Sequence, residues 1–203
     1  MATAALVLSG GESSRFGAVP KALMRVGGST AVRRIVDTCV SRGLDPVVVV
    51  VGPHRGPVAH ELRGTDAVLV DSAQWYEGRT ASIHSGLEAI ASGVDVLFWP
   101  VDHPFVLDST VDSLLRLPNE DALAVWFIPT FHGHGGHPVF WRSVVRADIL
   151  DLRNDAPLRS LLPEFGVQVR RFEVHDPGVV ANIDTPEEYR AALDQWESGS
   201  RGI

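Results

Sequence analysis

Five consecutive valines, Val47 to Val51, constrain the fold of this chain more than any other stretch. Successive residues of a strand face opposite sides, so an unbroken apolar run must be covered on both. The run over 46–52 therefore predicts a strand inside a sheet that carries helices on each face. Similar short runs occur at 4–9, 67–70 and 94–99. Segments with helical spacing lie between them. Ser29 or Thr30 caps one, in which Val32, Ile35, Val36 and Cys39 or Val40 share a face, and Gly43 ends it. Others cover 54–62, 80–91 with Ile83, Leu87 and Ile90 or Ala91 on one side, and a stretch to Leu117 capped by Asp108 or Ser109. This alternation over the first 117 residues predicts an α/β fold with a doubly wound, mostly parallel sheet.

Beyond Leu117 the pattern loosens. Strands are expected at 122–128, 138–141 and 167–174, with a Gly/His-rich loop after the first of them. Thr185 caps a last helix, with Pro186 at its first position and Glu187 and Glu188 in its first turn. No repeat or linker interrupts the chain, so a single domain over residues 1–203 is expected.

A formal net charge of -7 disfavours a nucleic-acid partner, because phosphate backbones reward basic surfaces. A polyphosphate substrate needs only a few basic residues in one cleft. Cys39 is the only cysteine, which leaves no intrachain disulfide or thiolate metal cage and suits a reducing cytoplasm. The apolar start, residues 1–11, is too short to span a bilayer and lacks a basic leader region, so no membrane association is expected.

The strongest chemical signal follows the first strand: Ser9, Gly10, Gly11, Glu12, Ser13, Ser14 and Arg15, with Lys21 close behind. Small residues at the end of a buried strand let backbone N–H groups approach a phosphate chain. Arg15 adds a planar donor fork and Lys21 a flexible point charge. A plain glycine turn would require neither. The loop matches neither GxxxxGK[ST] nor GxGxxG.

The run LSGGESSRFG followed by PKAL resembles the L-(A/S)-(G/A)-G-x-S-x-R-(M/F)-G-x-x-K signature of the MobA/MocA-like NTP transferases. Four later blocks resemble that family in the same order. They are Trp75 to Gly78 with Ser82, Gly86 and Leu87; WPVDHPF; Gly136-His137-Pro138-Val139; and Ile183-Asp184-Thr185-Pro186-Glu187-Glu188. The resemblance implies a Rossmann-like nucleotide-diphospho-sugar transferase fold and an Mg2+-dependent nucleotidyltransferase. Its donor would be an NTP and its acceptor a phosphorylated small molecule, with molybdopterin suspected. It further implies transient contact with a molybdoenzyme or its chaperone. Gly10 resembles the guanylyl branch, whereas GHPV and the overall spacing favour CTP.

Carried over residue by residue, the resemblance makes Arg15, Lys21 and Asp102 the catalytic set. Asp102 and Asp184 would hold Mg2+. Ser9, Gly10, Gly11, Glu12, Ser13, Ser14, Arg15, Lys21, Arg79 and Ser82 would bind the nucleotide, and Gly136, His137 and Arg159 the acceptor. Several of these residues have simpler readings. Asp102 alone could be a turn residue before Pro104, and Asp184 part of a helix cap. Asn182 stands where the family often has another carboxylate. Arg79 replaces a common methionine, and fits either a phosphate contact or an exposed first-turn position. His132, His134 and His137 have HxHxxH spacing, which raises a competing metal-dependent hydrolase, although Gly136 stands where that motif keeps an aspartate. A nucleotide-binding module without catalysis is the other alternative.

Overall fold

The computed structural model describes residues 2–11 and 19–200. Its first strand is β1 (Thr3–Ser9), followed by a small hairpin of β2 (Arg25–Val26) and β3 (Ser29–Thr30) and by helix α1 (Ala31–Ser41). Then come β4 (Val47–Val51), α2 (Arg55–Glu61), β5 (Val68–Asp71), α3 (Arg79–Glu88), β6 (Asp95–Pro100) and α4 (Asp108–Glu120). The second half holds β7 (Trp126–Phe131), β8 (His134–Gly135), β9 (Val139–Trp141), α5 (Arg146–Leu150), α6 (Leu162–Phe165), β10 (Val169–Glu173) and α7 (Pro186–Ser200).

Among the described residues, eight of these strands make one sheet in the order β10-β7-β9-β6-β1-β4-β5, with β8 alongside β7. β1, β4, β5 and β6 are mutually parallel, as are β7 and β10. β9 runs antiparallel to both β6 and β7, and β8 antiparallel to β7. The valine strand behaves as its composition requires. Val47, Val49 and Val51 pack with α1, α2 and α4 on one face, while Val48 and Val50 pack with α3 on the other. β1 divides in the same way, with Ala5 and Val7 on the first face and Ala4, Leu6 and Leu8 on the second. The sheet is therefore covered on both sides and mostly parallel.

α1 forms because Thr30 accepts the Arg33 backbone N–H at 3.3 Å and because Val32, Ile35, Val36 and Cys39 share one buried face. Neither Asp108 nor Ser109 caps α4. Its first turn is instead held by Asp176, which accepts from the Leu107 N–H at 2.8 Å and the Thr110 hydroxyl at 2.7 Å. The strand expected at 122–128 begins only at Trp126. Asp121 accepts from the N–H groups of Leu123 and Ala124 and draws them into a turn.

α7 starts in a reciprocal cap. Thr185 Oγ1 accepts from the Glu188 N–H, and the Glu188 carboxylate accepts from the N–H groups of Asp184 and Thr185. Tyr189, Leu193 and Trp196 then pack on Met24, Val26, Phe105 and Ile183. This small cluster ties the C-terminal helix to the chain just after the first loop. No helix among the described residues is long and apolar enough to cross a membrane.

Candidate active site

β1 and β6 are neighbours, yet the chain leaves β1 towards β4 on one side and leaves β6 towards β7 and β9 on the other. Such a divergence opens a crevice at the carboxyl ends of the two strands. Here it is a cleft of about 330 Å³ whose lining includes Ser9, Gly10, Gly11, Lys21, Arg79, Ser82, Asp102 and Asp184. The topology thus gathers sequence-predicted residues from five separate segments. Glu12, Ser13, Ser14 and Arg15 lie outside the described residues.

Asp102 follows β6 directly and is only 8% exposed. The turn that carries it is held by three contacts. The Val101 N–H donates to the Leu8 carbonyl at 3.0 Å, the Trp99 indole to the His103 carbonyl at 2.9 Å, and the Ile183 N–H to the Asp102 carbonyl at 2.8 Å. Its two carboxylate oxygens have different partners. Oδ1 lies 2.8 Å from His103 Nδ1, and Oδ2 lies 3.2 Å from the Arg79 guanidinium. Burial by itself would raise the Asp102 pKa. The hydrogen bond from His103 and the positive charge of Arg79 outweigh it, and the carboxyl titrates well below its ordinary range.

The hydrogen bond from Ile183 also brings Asp184 to the same cleft. Its Oδ1 meets Lys21 Nζ at 2.5 Å, and its Oδ2 accepts from the Asn182 amide at 2.7 Å. The hydrogen bond from Lys21, more than any other influence, lowers the Asp184 pKa. Asn182, at the position where a second carboxylate would stand, orients Asp184 instead.

Arg79 opens α3, and the backbone there is fixed. Gly78 has φ 149°, and an added Cβ would lie 2.4 Å from the Asn154 carbonyl oxygen, so only glycine fits. The Thr80 hydroxyl donates to the Ala156 carbonyl in the same segment. Ser82, one turn on, is buried and donates to Ser72 at 3.2 Å.

Gly136, His137 and Arg159 do not line this cleft. They border an adjoining cavity of about 830 Å³, walled by Phe98, Trp126 and Ile128 and edged by Arg79, Arg159 and Arg171. Arg79 lines both spaces. The His137 ring lies 4.7 Å from that of His103 and 5.5 Å from that of Phe98, and its Nδ1 is buried without a hydrogen-bond partner among the described residues. Covering of the ring, helped by the charge of His103, lowers its pKa to about 3. The three histidines of the HxHxxH stretch do not converge. His132 and His134 are exposed at the turn and on β8, whereas His137 turns inward. Sequence reasoning missed His103, Phe98, Trp126 and Arg171. His103 was adjacent to a predicted ligand and could have been found; the cavity walls come from strands whose order the sequence does not give.

Two carboxylates at one cleft, Asp102 and Asp184, suit a divalent ion that arrives with a phosphorylated substrate. Mg2+ binds through one or two carboxylates and takes its other ligands from phosphates and water. Among the described residues no group of three or more His, Cys, Asp or Glu side chains could form an all-protein cage. The donor set fits the substrate-borne arrangement.

Comparison with known proteins agrees with this geometry. Residues 5–171 match the family model of the MobA-like NTP transferase domain. A molybdenum cofactor guanylyltransferase of Yersinia pestis (strain Pestoides F) is 27% identical over 201 residues, covering 97% of this chain and 96% of that protein. A nucleotidyl transferase from Methanothermobacter thermautotrophicus superposes with a TM-score of 0.79 at 23% identity, covering 98% of this chain and 99% of the other. The Rv0371C protein of Mycobacterium tuberculosis H37Rv, solved in complex with manganese, gives 0.76 at 22% identity, with 96% and 98% covered.

Proposed function

The chain belongs to the MobA-like NTP transferase family, and on that premise we propose that it transfers a nucleoside monophosphate from an NTP to a phosphorylated acceptor, releasing pyrophosphate. The observation that carries this reading is the convergence of Asp102, Asp184 and Lys21 with the glycine loop on one cleft that opens beside a larger, arginine-edged cavity. The first space takes the triphosphate and the second the acceptor.

In this reaction an acceptor phosphate oxygen attacks the α-phosphorus, a new P–O bond forms, and the bond to pyrophosphate breaks. A phosphate monoester is already nucleophilic, so no side chain has to remove a proton. Catalysis rests on placement and on neutralising charge. Lys21 and the N–H groups beyond Ser9 hold the donor phosphates, and Gly136, His137 and Arg159 border the acceptor. A divalent ion such as Mg2+, held by Asp102 with Asp184, would supply charge neutralisation at the phosphates. His103 fixes one oxygen of Asp102 so that the other faces the cleft.

Molybdopterin is the acceptor that the name of the Yersinia relative favours. That name also points to GTP as donor, whereas the GHPV stretch resembles the cytidylyl branch and points to CTP. A thermal-shift panel of GTP, CTP, UTP and ATP with Mg2+ separates them, since selective binding raises the melting temperature. The reading as a whole is tested by Asp102→Asn with the selected NTP. The variant keeps size and hydrogen bonding but loses the charge. Pyrophosphate release should fall by roughly 100-fold or more, as for other losses of aligned electrostatic stabilisation. Near-normal release from a folded variant would remove Asp102 from the reaction.

A further inference from the structure

Among the described residues, Arg79 alone borders both the smaller cleft and the larger cavity. Its backbone is anchored at Gly78 and Thr80, but its side chain is 56% exposed and free to change direction. Its guanidinium contacts Asp102 Oδ2, and the other oxygen of Asp102 is already engaged by His103. A divalent ion approaching Asp102 from the cleft must therefore take the oxygen that Arg79 holds. Two cations cannot share that oxygen in the same direction without strong repulsion.

We propose that Arg79 is a displaceable counter-ion. It neutralises Asp102 while the cleft is empty, yields Oδ2 to the divalent ion that accompanies the NTP, and then turns to the phosphate groups being joined. This inference rests on the transfer reaction proposed above. The exchange makes two events conditional on each other. The guanidinium is released when donor and metal are in place, and it is then beside the cavity that receives the acceptor. Metal and acceptor would thereby raise each other's affinity, because whatever frees Arg79 for one favours the other. A guanidinium suits the second position, since its planar fork matches phosphate oxygens. The methionine common at this position in related sequences can do neither.

The test uses Mn2+ alone as a probe, its binding to the full chain followed by the loss of the free-ion electron paramagnetic resonance signal. Arg79→Met and Arg79→Gln remove the competing charge and should tighten Mn2+ binding roughly three- to tenfold, the scale of a partly exposed ion pair. Arg79→Lys keeps a cation and should stay within about twofold of wild type. Damage to the fold would weaken binding, so the expected gain in affinity cannot come from a merely structural role. Unchanged or weaker Mn2+ binding in both neutral variants overturns the counter-ion assignment. At saturating Mn2+ the same variants should release pyrophosphate with a lowered kcat, although they hold the metal more tightly. A kcat equal to wild type overturns the role at the phosphates. Should wild type release no pyrophosphate from any NTP, the transfer reading fails, while the Mn2+ comparison still decides whether Arg79 guards Asp102.

Discussion

Lys21 meets Asp184 across 163 residues of sequence, and each is set there by a different element. Lys21 begins a short 3-10 turn after Pro20, and Asp184 precedes the cap of α7. Lys21→Ala would remove the cation that lowers the Asp184 pKa and leave a carboxylate facing the triphosphate. Hydrogen bonds to charged groups are each worth about 1.5–3 kcal/mol, so the KM for NTP should rise by roughly one to two orders of magnitude. The pair is partly open to solvent, and the melting temperature without ligand should change little. Steady-state pyrophosphate release at varied NTP checks this, and an unchanged KM would exclude Lys21 from the donor site. At this scale the sequence was informative about identity and silent about pairing. Asp102 and Lys21 stood out through their positions after buried strands and small residues. That Asp102 faces Arg79 and His103, and Asp184 faces Lys21 and Asn182, depends on which strands are neighbours, and local spacing does not encode that.

α3 carries Arg79 and Ser82 to the cleft, and its approach to the sheet depends on Gly86. A Cβ built there would lie 2.2 Å from Leu6 Cδ1 and 2.7 Å from Val50 Cγ2, and both side chains are fully buried. Gly86→Ala must lift the helix or force those side chains from their rotamers, which costs about 1–3 kcal/mol. For a chain of this size each kcal/mol lowers the melting temperature by about 2–4 °C. Denaturant titration with circular dichroism measures the loss, and a midpoint equal to wild type would show that the contact has room to relax. Elements were legible where periodicity is strong. The valine strand and the faces of α1 and α3 lie where the apolar pattern put them. The cap of α4 was misplaced because Asp176, 66 residues beyond Thr110, does the work expected of Asp108 or Ser109. The insertion of β9 between β6 and β7 was not legible either. Three apolar residues, Val139 to Trp141, reveal a strand but not its direction or its neighbours.

Across the whole molecule the two cavities meet at a group of ionisable side chains, and their protonation is linked to folding. His137 has a pKa of about 3 because its ring is covered and His103 adds positive charge nearby. An unfolded chain restores the ordinary histidine value near 6.5. Between those values the unfolded state holds a proton that the folded state excludes, so stability falls as pH drops from about 6.5 towards 3. One such proton corresponds to a slope of about 1.4 kcal/mol per pH unit. Asp102 and Asp184 act in a lower window. Their folded pKa values lie below the ordinary carboxylate value, so they stabilise the fold above about pH 4 and lose that contribution as pH falls further. Urea titrations of wild type and His137→Asn at intervals from pH 7 to 4.5 isolate the histidine, because the carboxylates contribute little slope there. The variant should lose a large part of the wild-type decline over that range. Parallel profiles would mean that His137 is protonated as readily in the folded protein as in the unfolded chain. A neutral ring at this boundary would then have no place in the acceptor cavity's chemistry.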